Sequence, residues 1–139
     1  MNKDTSHIKK SDVPKIGFLK NPKCPSRDII NHVASKWGSL VLIVLLEQKK
    51  LRFGEIKKSF GQISDKMLSQ TLRDLERDGL LIRKSYQVIP PKVEYSLSDT
   101  GKHIAQSVAK FCTQVEKNLH YILISQIDYD RNPAKADWQ

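Results

Sequence analysis

The stretch Gly61-Gln62-Ile63-Ser64-Asp65-Lys66-Met67-Leu68-Ser69-Gln70-Thr71-Leu72-Arg73-Asp74-Leu75-Glu76-Arg77-Asp78-Gly79 carries the punctuation of one complete helix. Ser64 is a strong N-cap, because its hydroxyl can accept a backbone N–H that has no partner inside the helix. Asp65 follows in the first turn, where a negative charge meets the positive end of the helix dipole. Leu68, Leu72 and Leu75 recur at helical spacing and form one apolar face. Gly79 is the residue type that ends a helix in the left-handed position. The expected helix therefore runs over 64–78. Just upstream, Phe53, Ile56 and Phe60 mark one face of a shorter helix, and Gly61 stops it. Only Gln62 and Ile63 lie between Gly61 and the cap. Two short helices joined by a tight glycine-containing turn form a helix-turn-helix.

Outward from this pair, Leu80-Leu81-Ile82-Arg83-Lys84 and Lys92-Val93-Glu94-Tyr95-Ser96-Leu97 read as two strands around a loop over 86–91. Pro90-Pro91 suits such a loop and would not suit a central strand. Ser98 caps a long helix, expected to be continuous, with Ile104, Val108, Phe111, Val115, Leu119 and Ile122 along one face. On the N-terminal side, Pro25 fits a first helical position, and Ile29, Ile30 and Val33 give a short amphipathic helix. Ser35 caps a second helix through Trp37 and the apolar run 40–46, ended by Lys49-Lys50. Periodicity alone leaves a buried strand open for that run. Leu51-Arg52 is a possible short strand. The expected fold is mainly α with a small β-hairpin wing, a dimeric winged helix-turn-helix. Its core is Trp37, Leu42, Leu45, Ile56, Leu68, Leu72, Leu75, Leu80 and Leu97. Residues 1–20 are expected to form a flexible basic arm, 21–130 the domain with a C-terminal dimerisation helix and 131–139 a polar tail.

The net charge is +9, and it is unevenly spread. Residues 1–24 carry +4, residues 25–48 are neutral, residues 49–92 carry +6 and residues 93–139 carry −1. A basic middle beside a neutral remainder points to a polyanionic partner, although surplus lysine also serves solubility. Length is that of one domain, enough for a core without disulfide or metal staples. No run approaches the roughly 18 apolar residues of a membrane span, and the start of the chain lacks a secretory signal pattern. A cytoplasmic protein without a membrane partner is expected. Cys24 and Cys112 are not spaced as a metal pair, and His7, His32, His103 and His120 are scattered, so neither a metal nor a cofactor is called for. No phosphate-binding glycine loop, His-Glu-x-x-His or Gly-x-Ser-x-Gly motif is present, which argues against an enzyme. Cys112, among Val108, Phe111 and Val115, reads as a small hydrophobe.

Opposite the leucine stripe, Lys66, Gln70, Arg73 and Arg77 follow at spacings of four, three and four, and so share a face. Arg or Lys can read guanine O6 and N7, and Gln can read adenine N6 and N7. Ser64 and Ser69 can bond phosphate or a base edge near the helix start. The plainer reading of that face is a solvated surface balanced by Asp74 and Asp78. The adjoining hairpin, with Arg83, Lys84 and Lys92 around its loop, favours DNA, since wing cations contact phosphate. Lysines that protect edge strands are the alternative there. The expected partner is double-stranded DNA carrying a palindromic operator. A winged helix used only for protein contact or assembly, without sequence readout, stays open. Leu119, Tyr121, Ile122, Leu123, Ile124 and Ile127 exceed what one small domain can cover, so an isologous homodimer contact through Ile29, Leu119, Ile122, Leu123 and Ile127 is expected.

Several segments together resemble the HxlR-type regulators, within the wider MarR-like winged-helix group. They are Cys24-Pro25, Lys36-Trp37, Arg52-Phe53-Gly54-Glu55-Ile56, the stretch Ile63 through Leu80, and Pro90-Pro91-Lys92-Val93-Glu94-Tyr95-Ser96-Leu97-Ser98-Asp99-Thr100-Gly101. The resemblance spans 24–121 and implies a homodimeric DNA-binding repressor or activator. It also implies that the cysteine matching Cys24 senses oxidants or electrophiles in some members. The residues agree to a degree: Cys24 stands at a helix start with Lys20, Lys23 and Arg27 near it in sequence, and both features favour the reactive thiolate. A cysteine that merely packs or caps is the other reading.

Overall fold

The computed structural model describes residues 20–132. Six helices and three strands follow in the order α1 (Pro25–Ala34), α2 (Lys36–Gln48), β1 (Lys50–Arg52), α3 (Phe53–Phe60), α4 (Asp65–Arg77), β2 (Leu81–Tyr86), β3 (Lys92–Leu97), α5 (Asp99–Lys117) and α6 (Leu119–Arg131). The strands form one antiparallel sheet in the order β1-β3-β2. This is a mainly helical winged helix-turn-helix. The hairpin is wider than expected, because Leu51 pairs with Tyr95 and so brings β1 in as a third strand. Most of the proposed arm and the end of the proposed tail lie outside the described residues, and Arg131 closes α6 rather than opening a tail.

Helix α2 is the axis of the domain. Its run Leu40-Val41-Leu42-Ile43-Val44-Leu45-Leu46 is apolar on every side, as a helix enclosed by other elements must be. It packs against α1, α3, α4, α5 and the sheet. Val41, Leu42 and Leu45 are sealed from solvent together with Ile56, Leu68, Leu72 and Leu75. Leu51, Ile63, Leu80, Leu81, Tyr95, Leu97 and Ala105 complete the core. Trp37, expected inside, is only half-buried. It covers the core's edge, with its ring 6.0 Å from that of Phe60 and the Lys36 ammonium 4.5 Å above it. An indole is large and carries a polar N–H, so it suits such a boundary position.

The expected single C-terminal helix is two helices. Asn118 separates α5 from α6, with its side-chain amide donating to the Gln114 carbonyl at 2.8 Å. A short amide side chain competes for helix carbonyls in this way and favours a break. The apolar spacing runs on across the break, which is why periodicity alone does not reveal it.

Three contacts fix how the other elements meet. Helix α4 ends in a Schellman motif: Gly79 has φ 75°, the Leu80 N–H donates to the Leu75 carbonyl at 3.0 Å, and the Gly79 N–H to that of Glu76 at 2.9 Å. Ser98 joins that end to the start of α5. Its hydroxyl donates to the Gly79 carbonyl at 2.6 Å and accepts the Gly101 N–H at 2.9 Å. Gly101 itself lies so close to the Leu80 backbone that a Cβ there would sit 2.0 Å from the Leu80 carbonyl oxygen.

Leu72→Ala empties a fully buried site and should cost about 2–5 kcal/mol in denaturant unfolding. Gly101→Ala should destabilise by at least about 1–3 kcal/mol, because backbone must move. Gly54→Ala meets nothing within 4 Å. On an exposed helical position it should instead stabilise by about 0.5–1 kcal/mol. Equal unfolding midpoints for the two glycine variants would contradict this packing.

Candidate nucleic-acid interface

Helix α4 divides its residues as its pattern demands. Leu68, Leu72 and Leu75 are buried, and Lys66, Gln70, Arg73 and Arg77 are exposed on the far side. These four span about 16 Å of helix axis, a length that fits the floor of a major groove. The Ser64 hydroxyl accepts the Met67 N–H at 3.1 Å, so Ser64 is the cap and presents only its O–H to a ligand. Ser69 is half-buried at the edge of the face.

The polar face is already ordered. Arg73 donates to the Gln70 carbonyl oxygen at 3.3 Å, and the Gln70 amide donates to Asp74 at 2.9 Å. This chain Arg73–Gln70–Asp74 holds the two candidate base-contacting side chains, Arg73 and Gln70, side by side. Each of its hydrogen bonds lies in solvent and is exchangeable for one to a base edge. Asp78, read from sequence as a partner for this face, instead turns inward and meets His32 Nδ1 of α1 at 2.7 Å. At the other end, the Lys57 ammonium of α3 pairs with Asp65.

Met67 lies outside both faces read from the sequence. It is about half exposed in the first turn of α4, beside Lys66. An apolar side chain there suits the methyl group of thymine. An apolar residue outside the leucine stripe was the available signal.

The wing differs from its simplest reading. Arg83 and Lys84 are exposed on β2. Lys92 is half-buried and engaged: its ammonium lies 2.9 Å from Glu94 and 4.9 Å above the Tyr86 ring, where Lys84 also approaches at 4.9 Å. The Tyr86 hydroxyl donates to Glu94 at 3.0 Å. Hydrogen bonds from Lys92 and Tyr86, and the charges of Lys92 and Lys50, hold the Glu94 carboxyl below the usual carboxylate range. A lowered folded-state value means that this group's contribution is present above the ordinary carboxylate range and is lost as pH falls through the folded value. Lys84 and Lys92 both approach the Tyr86 ring but only Lys92 pairs with Glu94, so the wing keeps a net positive charge.

The remaining candidates lie away from α4. Cys24 is the N-cap residue of α1, half-buried, with Pro25 in the first helical position, and its side chain makes no capping hydrogen bond. Ile29 on α1 and Leu119, Ile122, Leu123 and Ile127 on α6 are all substantially exposed in the single chain. So are Ile104, Phe111 and Val115 along α5, Phe111 to 70%. No group of three or more histidine, cysteine or acidic side chains is arranged to hold a metal among the described residues. No single helix among them is long and apolar enough to cross a membrane.

Comparison with known proteins agrees with this geometry. Residues 32–122 match the model of the HxlR-like helix-turn-helix family. The chain is 42% identical over 118 residues to the uncharacterized HTH-type transcriptional regulator YtfH of Escherichia coli K12, covering 85% of this chain and 93% of that one. A solved chain of ytfH from Salmonella typhimurium superposes with a TM-score of 0.72 at 42% identity, covering 78% of this chain and 96% of its own. The redox regulator HypR in its oxidised form superposes with a TM-score of 0.62 at 33% identity, over 68% of this chain and 97% of its own. The chain therefore belongs to the HxlR-like helix-turn-helix family, whose members are transcriptional regulators and not enzymes.

Proposed function

We propose that this protein is a homodimeric, sequence-specific DNA-binding repressor of the cytoplasm, whose operator affinity responds to oxidants or electrophiles through Cys24. The observation that carries the DNA reading is the exposed, pre-ordered face of α4, with Lys66, Gln70, Arg73 and Arg77 opposite three buried leucines. Helix α4 enters the major groove, and Arg83, Lys84 and Lys92 touch phosphate beside it. A two-fold dimer places two such helices about one or two turns apart on an imperfect palindrome.

Support for the dimer is the unpartnered apolar surface on α1, α5 and α6. A contiguous patch of this kind on a small chain marks a contact surface. Support for the thiol switch is the position of Cys24 as the N-cap of α1, the helix that carries Ile29. A modification there acts at the proposed subunit contact. The solved oxidised form of HypR is that of a redox regulator of the same family fold.

Arg73→Ala and Gln70→Ala should relax preference at particular base pairs by about 1–3 kcal/mol in competition gel shifts. Lys92→Ala should weaken every sequence alike and lower the salt slope by about one. A folded Lys66/Gln70/Arg73 triple-alanine variant that binds operator as the wild type does would remove α4 from the interface. For assembly, sedimentation at micromolar concentration should give a dimer, and Ile122→Asp a monomer. A wild-type monomer would refute the contact.

Diamide should reduce operator binding by the wild type and leave Cys24→Ser unaffected. In that step two thiols lose two electrons and two protons to diamide, forming one S–S bond and the reduced hydrazine. An equal response from the serine variant would exclude Cys24 as the sensor.

A further inference from the structure

Between the C-terminal end of α2, the base of β3 and the first turns of α5 lies a cleft of about 460 Å³. Its apolar floor includes Leu45, Leu46 and Leu97, and its rim includes Lys49, Lys50 and Lys102, with the Gln106 amide alongside. We propose that this cleft is a binding site for a small amphipathic organic anion, a carboxylate on an apolar or aromatic body.

Three observations meet here. The first is the combination itself. Ligand sites are concave, largely apolar and carry a few convergent polar groups, in volumes of about 300–1,000 Å³. The second is that three lysines from three elements line one opening with little compensation. Lys49 and Lys50 lie within ion-pairing distance of no carboxylate among the described residues. Lys102 has only the solvent-facing Asp99 carboxylate at 3.9 Å. Glu94 on β3 is engaged by Lys92 and Tyr86 and feels Lys50 at longer range, and Glu47 in the last turn of α2 forms no ion pair with these lysines. Like charges brought together beside apolar surface repel, and an anion between them relieves that repulsion.

The third is the backbone of Lys49. It is the C-cap of α2 and the only residue other than glycine at positive φ among the described residues, at 67°. Gly61 and Gly79 end α3 and α4 in the same half of φ space without penalty. At the end of α2 the chain places a lysine, with a Cβ that disfavours that conformation, and its side chain reaches the cleft rim. Strain of this kind is expected where a side chain is needed for binding rather than for the fold.

A DNA phosphate is the other anion to consider, and the position argues against it. Lys50 pairs with Ser96 at the base of the hairpin, about 13 Å along β3 from Lys92 at the wing's loop. A small anion reaches a recessed apolar floor, and a duplex backbone does not.

The test is calorimetric titration of the full chain, without DNA, with 1-naphthoate and with its neutral counterpart 1-naphthamide. Leaving DNA out separates failure of this site from failure of the DNA-binding reading. Naphthoate should saturate with a Kd below about 1 mM, and naphthamide should bind at least about tenfold more weakly. Lys102→Gln, on an exposed helical position that tolerates glutamine, should lose about tenfold in naphthoate affinity. Lys49→Gly should lose about as much while melting no lower than the wild type. Backbone amide shifts on adding naphthoate should centre on Leu46, Ser96 and Lys102. No saturation by about 10 mM naphthoate, equal affinity for the amide, or wild-type affinity in both variants would overturn the proposal. So would unchanged naphthoate binding in a Lys102→Gln variant that has lost operator affinity, which would assign the cleft to phosphate.

Discussion

The meeting of Ser98 with the Gly79–Leu80 backbone is the contact on which the domain's geometry rests. One hydroxyl bonds the last carbonyl of the α4 terminus and caps α5. The Ser98 N–H donates to the Leu80 carbonyl at 3.0 Å, so the two chain crossings are held twice. Gly101 permits this approach, because any side chain there would collide with Leu80. Four element ends converge at this point: the end of α4, the start of β2, the end of β3 and the start of α5. The tilt of α4 relative to the wing, and of both relative to α5, is therefore set by a few backbone distances rather than by the sum of many loose contacts. Leu80 and Leu97 are buried beside the junction and anchor it to the core, while the Ser98–Gly79 hydrogen bond itself faces solvent.

Helix α4 is held from two further directions. The Lys57–Asp65 pair ties its first turn to α3, and the His32–Asp78 contact ties its C-cap residue to α1. The first is solvent-exposed and contributes little energy. The second is shielded, with Asp78 about 10% exposed in its side chain, and links residues 46 apart in the chain. It also joins the helix that begins at Cys24 to the end of the helix that carries Arg73 and Arg77. In the proposed switch, a change at the start of α1 thus has a short, polar route to the DNA-reading element: one helix of ten residues and one hydrogen bond.

Local chemistry made most of this fold legible in the sequence. Ser35, Ser64 and Ser98 are each the cap expected, accepting the N–H of Gly38, Met67 and Gly101. Gly79 and the leucine stripe of α4 behave as their spacing requires, because an amphipathic helix has a polar face that orients it. Legibility failed where that orienting signal was missing or the interaction was distant. In the apolar run of α2 every residue is a candidate for the core, so Val41 was not distinguished from its neighbours. The burial of Tyr95 depends on β1 arriving from more than forty residues upstream. The break at Asn118 is a local event inside a pattern that continues across it. Among the site residues, the exposed face of α4 could be read directly. The His32–Asp78 contact and the engagement of Lys92 by Glu94 could not, since each depends on tertiary placement of an otherwise ordinary side chain.

The two surfaces that matter for the proposed regulator differ in how they are attached. The basic face of α4 belongs to an element anchored at both ends and backed by the core. Helix α6 is joined to the body through Asn118, and Tyr121, Leu123, Ile124 and Ile127 on it are all about half exposed or more. A helix apolar around much of its circumference gains little from one neighbouring face and is stable only when covered on several sides. In the proposed homodimer a second subunit provides that cover. On that proposal the order of α6 is tied to assembly, while the shape of the basic α4 face is set within the single chain. The proposed dimer alters DNA affinity by moving its two rigid α4 faces relative to each other. The operator senses this as a change in half-site spacing, to which a duplex with a fixed helical repeat is strongly sensitive.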